Sequence, residues 1–209
     1  MLQTDQIILF ATTAILLAAT PGPDIIYVVT RGITQGRTSA IAAAAGFSLG
    51  NIVHTVFAII GVSAIIKASA LAFTAIKIAG AIYLVYIGVK IFRSGGVNAK
   101  ADDKQLTAKT VFIQSVTANI LNPKVAIFFI ALFPQFIRSE NGHESIQMAL
   151  LGFEFIICTF LVFSACALFS GQIGEVLKKK NNSSGILNKL AGTVLVGLGV
   201  ALAFSKRAA

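Results

Sequence analysis

Two proline breaks interrupt spans that are otherwise apolar, and a charged residue follows each at once: Thr20-Pro21-Gly22-Pro23-Asp24 and Asn122-Pro123-Lys124. Hydrocarbon penalises both features. A charged side chain at mid-bilayer costs about 2.5–3.5 kcal/mol on insertion scales, and proline frees backbone groups that lipid cannot satisfy. The breaks fall at similar depths in the first and fourth hydrophobic segments, one in each half of the chain. Paired, interrupted helices in matching positions of two halves point to the binding site of a membrane transporter.

The bilayer setting follows from composition. Of 209 residues, 56% are hydrophobic and 12% charged, whereas a soluble domain carries about 25% charged residues. Six segments are long enough to cross a bilayer, which needs about 20 mainly apolar residues. They cover residues 5–30, 40–66, 70–92, 111–137, 147–170 and 186–205. These lengths exclude spanning strands of about 10 residues. The expected fold is an all-α integral membrane protein with six transmembrane helices, helices 1 and 4 being broken. Three spans per half make the halves enter the membrane in opposite directions, the parity of two inverted three-helix repeats. The whole chain, 1–209, then forms one transporter domain. Its first repeat covers about 1–93, a cytoplasmic linker 94–109, and the second repeat 110–209.

The net charge of +9 is spent on orientation rather than on a nucleic-acid surface. Most cations lie in short loops beside apolar spans: Arg31 and Arg37; then Lys90, Arg93, Lys100, Lys104 and Lys109; then Lys178, Lys179, Lys180 and Lys189. The intervening loops offer Lys67 and Arg138, with Lys77 nearby. Odd loops are therefore cytoplasmic and the amino terminus lies outside. Lys206 and Arg207 fall on the wrong side of that rule, and a five-span topology is the alternative. The early apolar run Ile7–Ala19 lacks the positive flank of a signal peptide, so it reads as a retained span. No basic-aromatic motif accompanies the charge, which argues against nucleic acid as a partner.

Chemistry gathers at the breaks. Pro21 and Pro23 lack amide hydrogens, and Gly22 between them is free to adopt extended or left-handed geometry. The helix should open here and restart near Pro23, leaving Asp24 at the positive end of the second half-helix. At the second break, Asn119 and Asn122 precede Pro123, and Lys124 follows. A lysine at a half-helix amino end is opposed by the dipole. It needs an anion: Asp24 across the repeat interface, Glu154, or a substrate carboxylate. A carboxylate from one half and an ammonium from the other could hold both ends of an amino acid, and could neutralise one another when the site is empty.

Three more polar residues lie within spans: Asn51 and His54 on one helix face of the second, and Glu154 in the fifth. His54 reads as a proton relay or as a helix-to-helix hydrogen-bond partner. Glu154 reads as a proton carrier or an interface residue. Cys158 and Cys166 share one apolar segment without a zinc or redox pattern, and read as packing residues. Gly46 and Gly50 form a GxxxG face suited to close packing within one subunit, with a homodimer interface as the alternative. There is no HExxH, GxSxG or phosphate-binding loop, so neither an enzyme nor ATP-driven transport by this chain is expected, nor a cofactor or metal.

These residues resemble the lysine exporter and homoserine/threonine resistance family of bacterial amino-acid exporters, the LysE/RhtB type, over nearly the whole chain. The marks are Thr20-Pro21-Gly22-Pro23-Asp24, the run from Thr117 and Ala118 through Asn119 to Asn122-Pro123-Lys124, and Ala131-Leu132-Phe133-Pro134-Gln135-Phe136. The third-span pattern from Gly80 through Tyr83 and Tyr86 to Gly88 also fits. Glu154 matches none of them. The resemblance implies a bacterial inner-membrane protein that exports small amino acids of the homoserine, threonine or lysine kind, with protons as coupling ion. The direction of transport comes from the resemblance alone. The competing reading is a passive channel or facilitator for small polar solutes, which would need a continuous polar lining.

Overall fold

The structure is a computed structural model describing residues 2–62, 70–93, 105–172 and 183–204. Its helices are α1 (Thr4–Ala19), α2 (Pro23–Gln35), α3 (Arg37–Phe57), α4 (Ala70–Arg93), α5 (Ala108–Ile120), α6 (Pro123–Ile127), α7 (Glu144–Leu168) and α8 (Ser183–Phe204). A π turn (Ala58–Val62) extends α3. A second π turn (Phe128–Leu132) and a 3-10 turn (Phe133–Phe136) extend α6. No strand occurs among the described residues.

Proline decides where the first span breaks. Thr20 is extended (φ −65°, ψ 117°), the conformation that a following proline imposes. Gly22 caps α2 in extended backbone, and Pro23 opens that helix, where its missing amide would have been unpaired anyway. α1 and α2 meet at 60°. The second half repeats the device. Asn122 caps α6, Pro123 opens it, and the bend from α5 is 46°.

Three helices are by themselves long and apolar enough to cross a membrane: Arg37–Gly61, Thr74–Arg93 and Glu144–Leu168. Counting each bent pair as one span brings the number to five, and α8 adds the shorter apolar stretch Gly192–Phe204. Large apolar side chains such as Ile8, Phe57, Leu71, Phe153 and Leu161 are exposed on the outside of the bundle, as a lipid-facing surface requires.

The first loop differs from expectation. α2 runs on to Gln35 and α3 begins at Arg37, so only Gly36 (φ +81°) separates them. A single glycine in the left-handed region turns the chain, and no loop is needed to hold the cations. Arg31 is buried in α2, where it donates to Gln35 Oε1 (2.9 Å) and lies over the Tyr27 ring. Lys77 and Lys90 lie within α4. Lys67, Lys100, Lys104, most of the linker, Lys178 to Lys180, Lys206 and Arg207 lie outside the described residues.

Packing places α3 at the centre, against α2, α5 and α7, while α1 packs on α7 and α4 on α8. The α3–α5 seam is very close. A Cβ added at Gly46 would lie 2.5 Å from Phe112 O, and one at Gly50 2.6 Å from Asn119 Oδ1. Those two glycines therefore serve packing within the subunit.

Two apolar clusters fill the interior. One gathers Phe10, Phe128, Phe129, Phe133 and Phe155 with Cys158, and the other Phe47 and Phe163 with the alanines of α3. Beyond the first cluster, buried Gln6 donates to Phe136 O (2.5 Å) and Gln147 Oε1 (3.0 Å). Gln147 donates in turn to Arg138 O (2.9 Å) and Gly142 O (2.7 Å). Arg138 also pairs with Asp5 at the surface (2.5 Å), a contact that holds the guanidinium above its ordinary range.

Candidate functional site

The two breaks meet. Pro23 and Pro123 are each the first residue of a half-helix, so Asp24 and Lys124 are each the second. Lys124 Nζ lies 3.1 Å from Asp24 Oδ2, with both side chains almost wholly buried. Each charge also has a backbone partner. Asp24 Oδ1 accepts from Ile25 N (3.0 Å) at the start of α2, where the helix dipole favours an anion. Lys124 Nζ donates to Leu17 O (3.4 Å) and Thr20 O (3.3 Å) at the end of α1. The ammonium thus escapes the unfavourable dipole of its own helix by lying against the carbonyl end of another. Half-helix carbonyl ends of this kind are cation sites in broken-helix membrane proteins.

Gly22 earns its place sterically, since its backbone is extended (φ −159°) and open to any residue. A Cβ there would lie 2.7 Å from Asp24 Oδ1 and 3.2 Å from Lys124 Nζ. Pro21 is half-buried, while Pro23 and Pro123 are exposed and act through the backbone. Asn122 is buried, and its Oδ1 accepts from Lys124 N (3.0 Å), which fixes the start of α6.

A small cavity lies beside the ion pair. It is lined by Asp24, Lys124, Asn51, Asn119 and Thr159, with apolar walls from Leu17, Ala18, Val125, Phe155 and Phe163. Its volume is about 10 Å³, room for about one water molecule and far less than an amino acid needs. Aromatic rings from two clusters contribute to its walls. Phe155 stacks on Phe128 (4.9 Å between centroids) within the first phenylalanine cluster. Phe163 meets Phe47 edge-on (5.9 Å), and Phe47 meets Tyr27 (5.8 Å).

The structure thus brings together Asp24, Asn51, Asn119 and Lys124 around one cavity, with Gly22 and Asn122 supporting the charges. His54 is set apart. Its Nε2 lies 3.1 Å from Asn119 O; a carbonyl only accepts, so Nε2 carries the hydrogen. The ring stacks on Phe129 (5.5 Å). It faces a separate apolar crevice of about 570 Å³ shared with Val53, Phe57, Ile76 and Ile130. Glu154 is half-buried on α7 and is not part of the cavity lining.

Phe155, Thr159 and Phe163 are additions that the charged residues alone did not signal. They recur every fourth residue along α7, one turn apart, and Thr159 lies between the two aromatic rings.

Comparison with known proteins follows the same lines. A "LysE type translocator" family model matches residues 15–206. The chain is 31% identical over 204 residues to a "Homoserine/homoserine lactone efflux protein" of Salmonella typhimurium, covering 95% of this chain and 96% of the relative. It is 30% identical over 204 residues to the protein of the same description in Salmonella typhi, with the same coverage. It is 31% identical over 198 residues to an "Uncharacterized membrane protein" of Vibrio cholerae, covering 94% and 96%. No solved structure matches. With the family model spanning nearly its full length, the chain belongs to the LysE type translocator family, and is a transporter rather than an enzyme.

Proposed function

We propose that the protein is a secondary active exporter of small amino acids, of the homoserine, threonine or lysine kind, residing in the bacterial inner membrane with its amino terminus outside. Protons are the coupling ion, and access alternates around the cavity at Asp24 and Lys124. The observation that carries this reading is the buried ion pair between two matching helix breaks. An α-amino acid carries an ammonium and a carboxylate at short range, and this pair offers one counter-charge to each. When the substrate leaves, the two side chains neutralise one another, so the empty carrier avoids two uncompensated buried charges.

The printed descriptions of the Salmonella relatives support the substrate class and the direction. Helix pairing supports two inverted repeats. α3 packs on α5 and α7 on α1, the same relation with the halves exchanged; α3 also packs on α7, and α4 on α8. A cavity of only about 10 Å³, with apolar aromatic walls, favours a carrier over a facilitator with a continuous polar lining.

The test is efflux from proteoliposomes loaded with a mixed amino-acid pool, with and without an imposed pH gradient, for wild type and Asp24→Asn. Selective, gradient-dependent loss of a few amino acids, abolished in the variant, is expected. Loss indifferent to the gradient would make the protein a facilitator, and loss of no amino acid would overturn the substrate class.

A further inference from the structure

Oxygen atoms lacking hydrogen-bond partners gather in the cavity beside the ion pair. Asn51 is fully buried, Asn119 is 2% exposed and Thr159 3% exposed. Asn51 Oδ1, Asn119 Oδ1 and Thr159 Oγ1 have no hydrogen-bond partner among the described residues. All three side chains line the same cavity, together with Asp24 and Lys124. The Asn51 amide nitrogen is turned back on its own helix, donating to Phe47 O (3.4 Å), which uses one of its two hydrogens and leaves its oxygen over. Unsatisfied buried groups cost about 1–3 kcal/mol each, so three around one cavity ask for a common partner.

The atoms themselves say what that partner brings. Two amide oxygens accept only, a hydroxyl accepts readily, and the Asp24 carboxylate beside them accepts. Lys124 is the one cation on the wall. A primary ammonium is the complementary group, with three donors and no acceptor. The protein already holds one such group there: the Lys124 ammonium meets Leu17 O, Thr20 O and Asp24 Oδ2. Lys124 therefore stands where a substrate's ammonium would stand.

We propose that Asp24, Asn51, Asn119 and Thr159 form a primary-ammonium subsite. On binding, the substrate's ammonium gives one of its three hydrogens to Asp24 and shares the other two among the unpaired oxygens, and Lys124 turns to the substrate's carboxylate. The inference rests on the amino-acid-exporter reading above, and sharpens it. The substrate class is the α-amino acid with an unsubstituted ammonium. N-methylation removes one of the three donors and sets a methyl group among the acceptor oxygens. Trimethylation removes every donor.

Titration calorimetry on the detergent-purified protein tests this, using L-homoserine, L-threonine and L-lysine, each against its α-N-methyl and α-N,N,N-trimethyl derivative. At least one parent is expected to bind, its N-methyl form at least about tenfold more weakly, and its trimethyl form not at all. Asn51→Ala, Asn119→Ala and Thr159→Val should weaken the parent by about tenfold while changing the N-methyl form less, so that the ratio between them narrows. A purely structural role would lower both and leave the ratio unmoved. Asn51→Ser and Thr159→Ser, which keep an oxygen acceptor, serve the same comparison if the larger truncations fail to fold. A parent that binds no better than its N-methyl form overturns the subsite and leaves the exporter reading standing. Should no parent bind and none leave the proteoliposomes, both fall.

Discussion

Asp24 and Lys124 hold the same position in two different helices, second after a proline, and their charged atoms meet 3.1 Å apart. The relation is not symmetric in its surroundings. Asp24 accepts a backbone hydrogen in the first turn of α2, whereas Lys124 reaches the carbonyl end of α1. Each charge is matched to a different backbone end as well as to the other.

Neutralising one member should therefore cost more than neutralising both. Asp24→Asn leaves a buried ammonium and Lys124→Met a buried carboxylate, each expected to destabilise by about 3–5 kcal/mol. The double variant should recover most of that loss, because no uncompensated charge remains. It should not recover transport, since neither end of an amino acid would find its counter-charge. Chemical unfolding in mild detergent together with proteoliposome efflux separates the two effects. A double variant less stable than either single one would contradict the pairing. An exchange of the two charges should restore activity only in part, because a carboxylate at position 124 would face Leu17 O and Thr20 O.

The close approach of α3 and α5 predicts opposite outcomes for two glycine-to-alanine changes. At Gly50 the added Cβ would lie 2.6 Å from Asn119 Oδ1 and 2.8 Å from Asn119 Cβ. Overpacking of that kind costs about 1–3 kcal/mol, and it displaces a side chain of the cavity wall. At Gly197, in α8, nothing lies within 4 Å of the added atom, so alanine's helix preference of about 0.5–1 kcal/mol should appear as a small gain. Melting temperatures of the two variants decide it. A neutral Gly50→Ala would mean the seam is looser than the distances imply.

Much of this arrangement is legible in the sequence, and the rest is hidden for identifiable reasons. Proline cannot continue a helix, so the breaks at Pro21, Pro23 and Pro123 are visible from residue type alone. Charges stand out against apolar spans, so Asp24 and Lys124 are visible too. The same contrast draws the eye to Glu154, which the cavity does not use, and away from Thr159, five residues on, which it does. A threonine in an apolar helix is an ordinary residue until its neighbours are known. Only the stripe Phe155, Thr159, Phe163 marks that face. The carbonyls of Leu17 and Thr20 carry no signal in side-chain identity. They become cation partners because the break at Thr20 leaves carbonyls without the next turn of helix to meet. His54 stands out for its chemistry, yet it spends its hydrogen on Asn119 O. Arg31 reads as a loop cation because its charge is visible and the tightness of the Gly36 turn is not.

At the end of the bundle beyond the first phenylalanine cluster, one buried amide holds three chain segments. Gln147 accepts from Gln6 Nε2 and Arg138 N, and donates to Arg138 O and Gly142 O. Gln147→Leu would leave these groups unpaired at about 1–3 kcal/mol for each one kept from water, so a loss of at least about 2 kcal/mol is expected. Asp5→Asn removes the neighbouring surface ion pair to Arg138, and its unfolding midpoint should stay within error of wild type, because exposed pairs contribute little. Equal effects of the two substitutions would show that the network does not depend on Gln147.

The last prediction concerns the two aromatic walls, which we expect to act as gates. Phe155 separates the cavity from the end where Gln6 and Gln147 meet, through its contacts with Phe10, Phe128 and Phe129. Phe163 separates it from the other end, through Phe47 and Tyr27. Truncating either ring to alanine removes one wall and leaves the other. A cysteine at Ala18, which lines the cavity and is 4% exposed, reports on access once Cys158 and Cys166 are replaced by alanine. With both rings intact, a membrane-impermeant maleimide should label Ala18→Cys slowly from either side. Phe155→Ala should speed labelling in membranes of one orientation, and Phe163→Ala in membranes of the opposite orientation. Right-side-out and inside-out vesicles supply the two orientations. If the amino terminus lies outside, as proposed, the Phe155 effect falls in the right-side-out set. Labelling that rises on the same side for both variants would mean the rings seal a single path, and alternating access would then need another pair of gates.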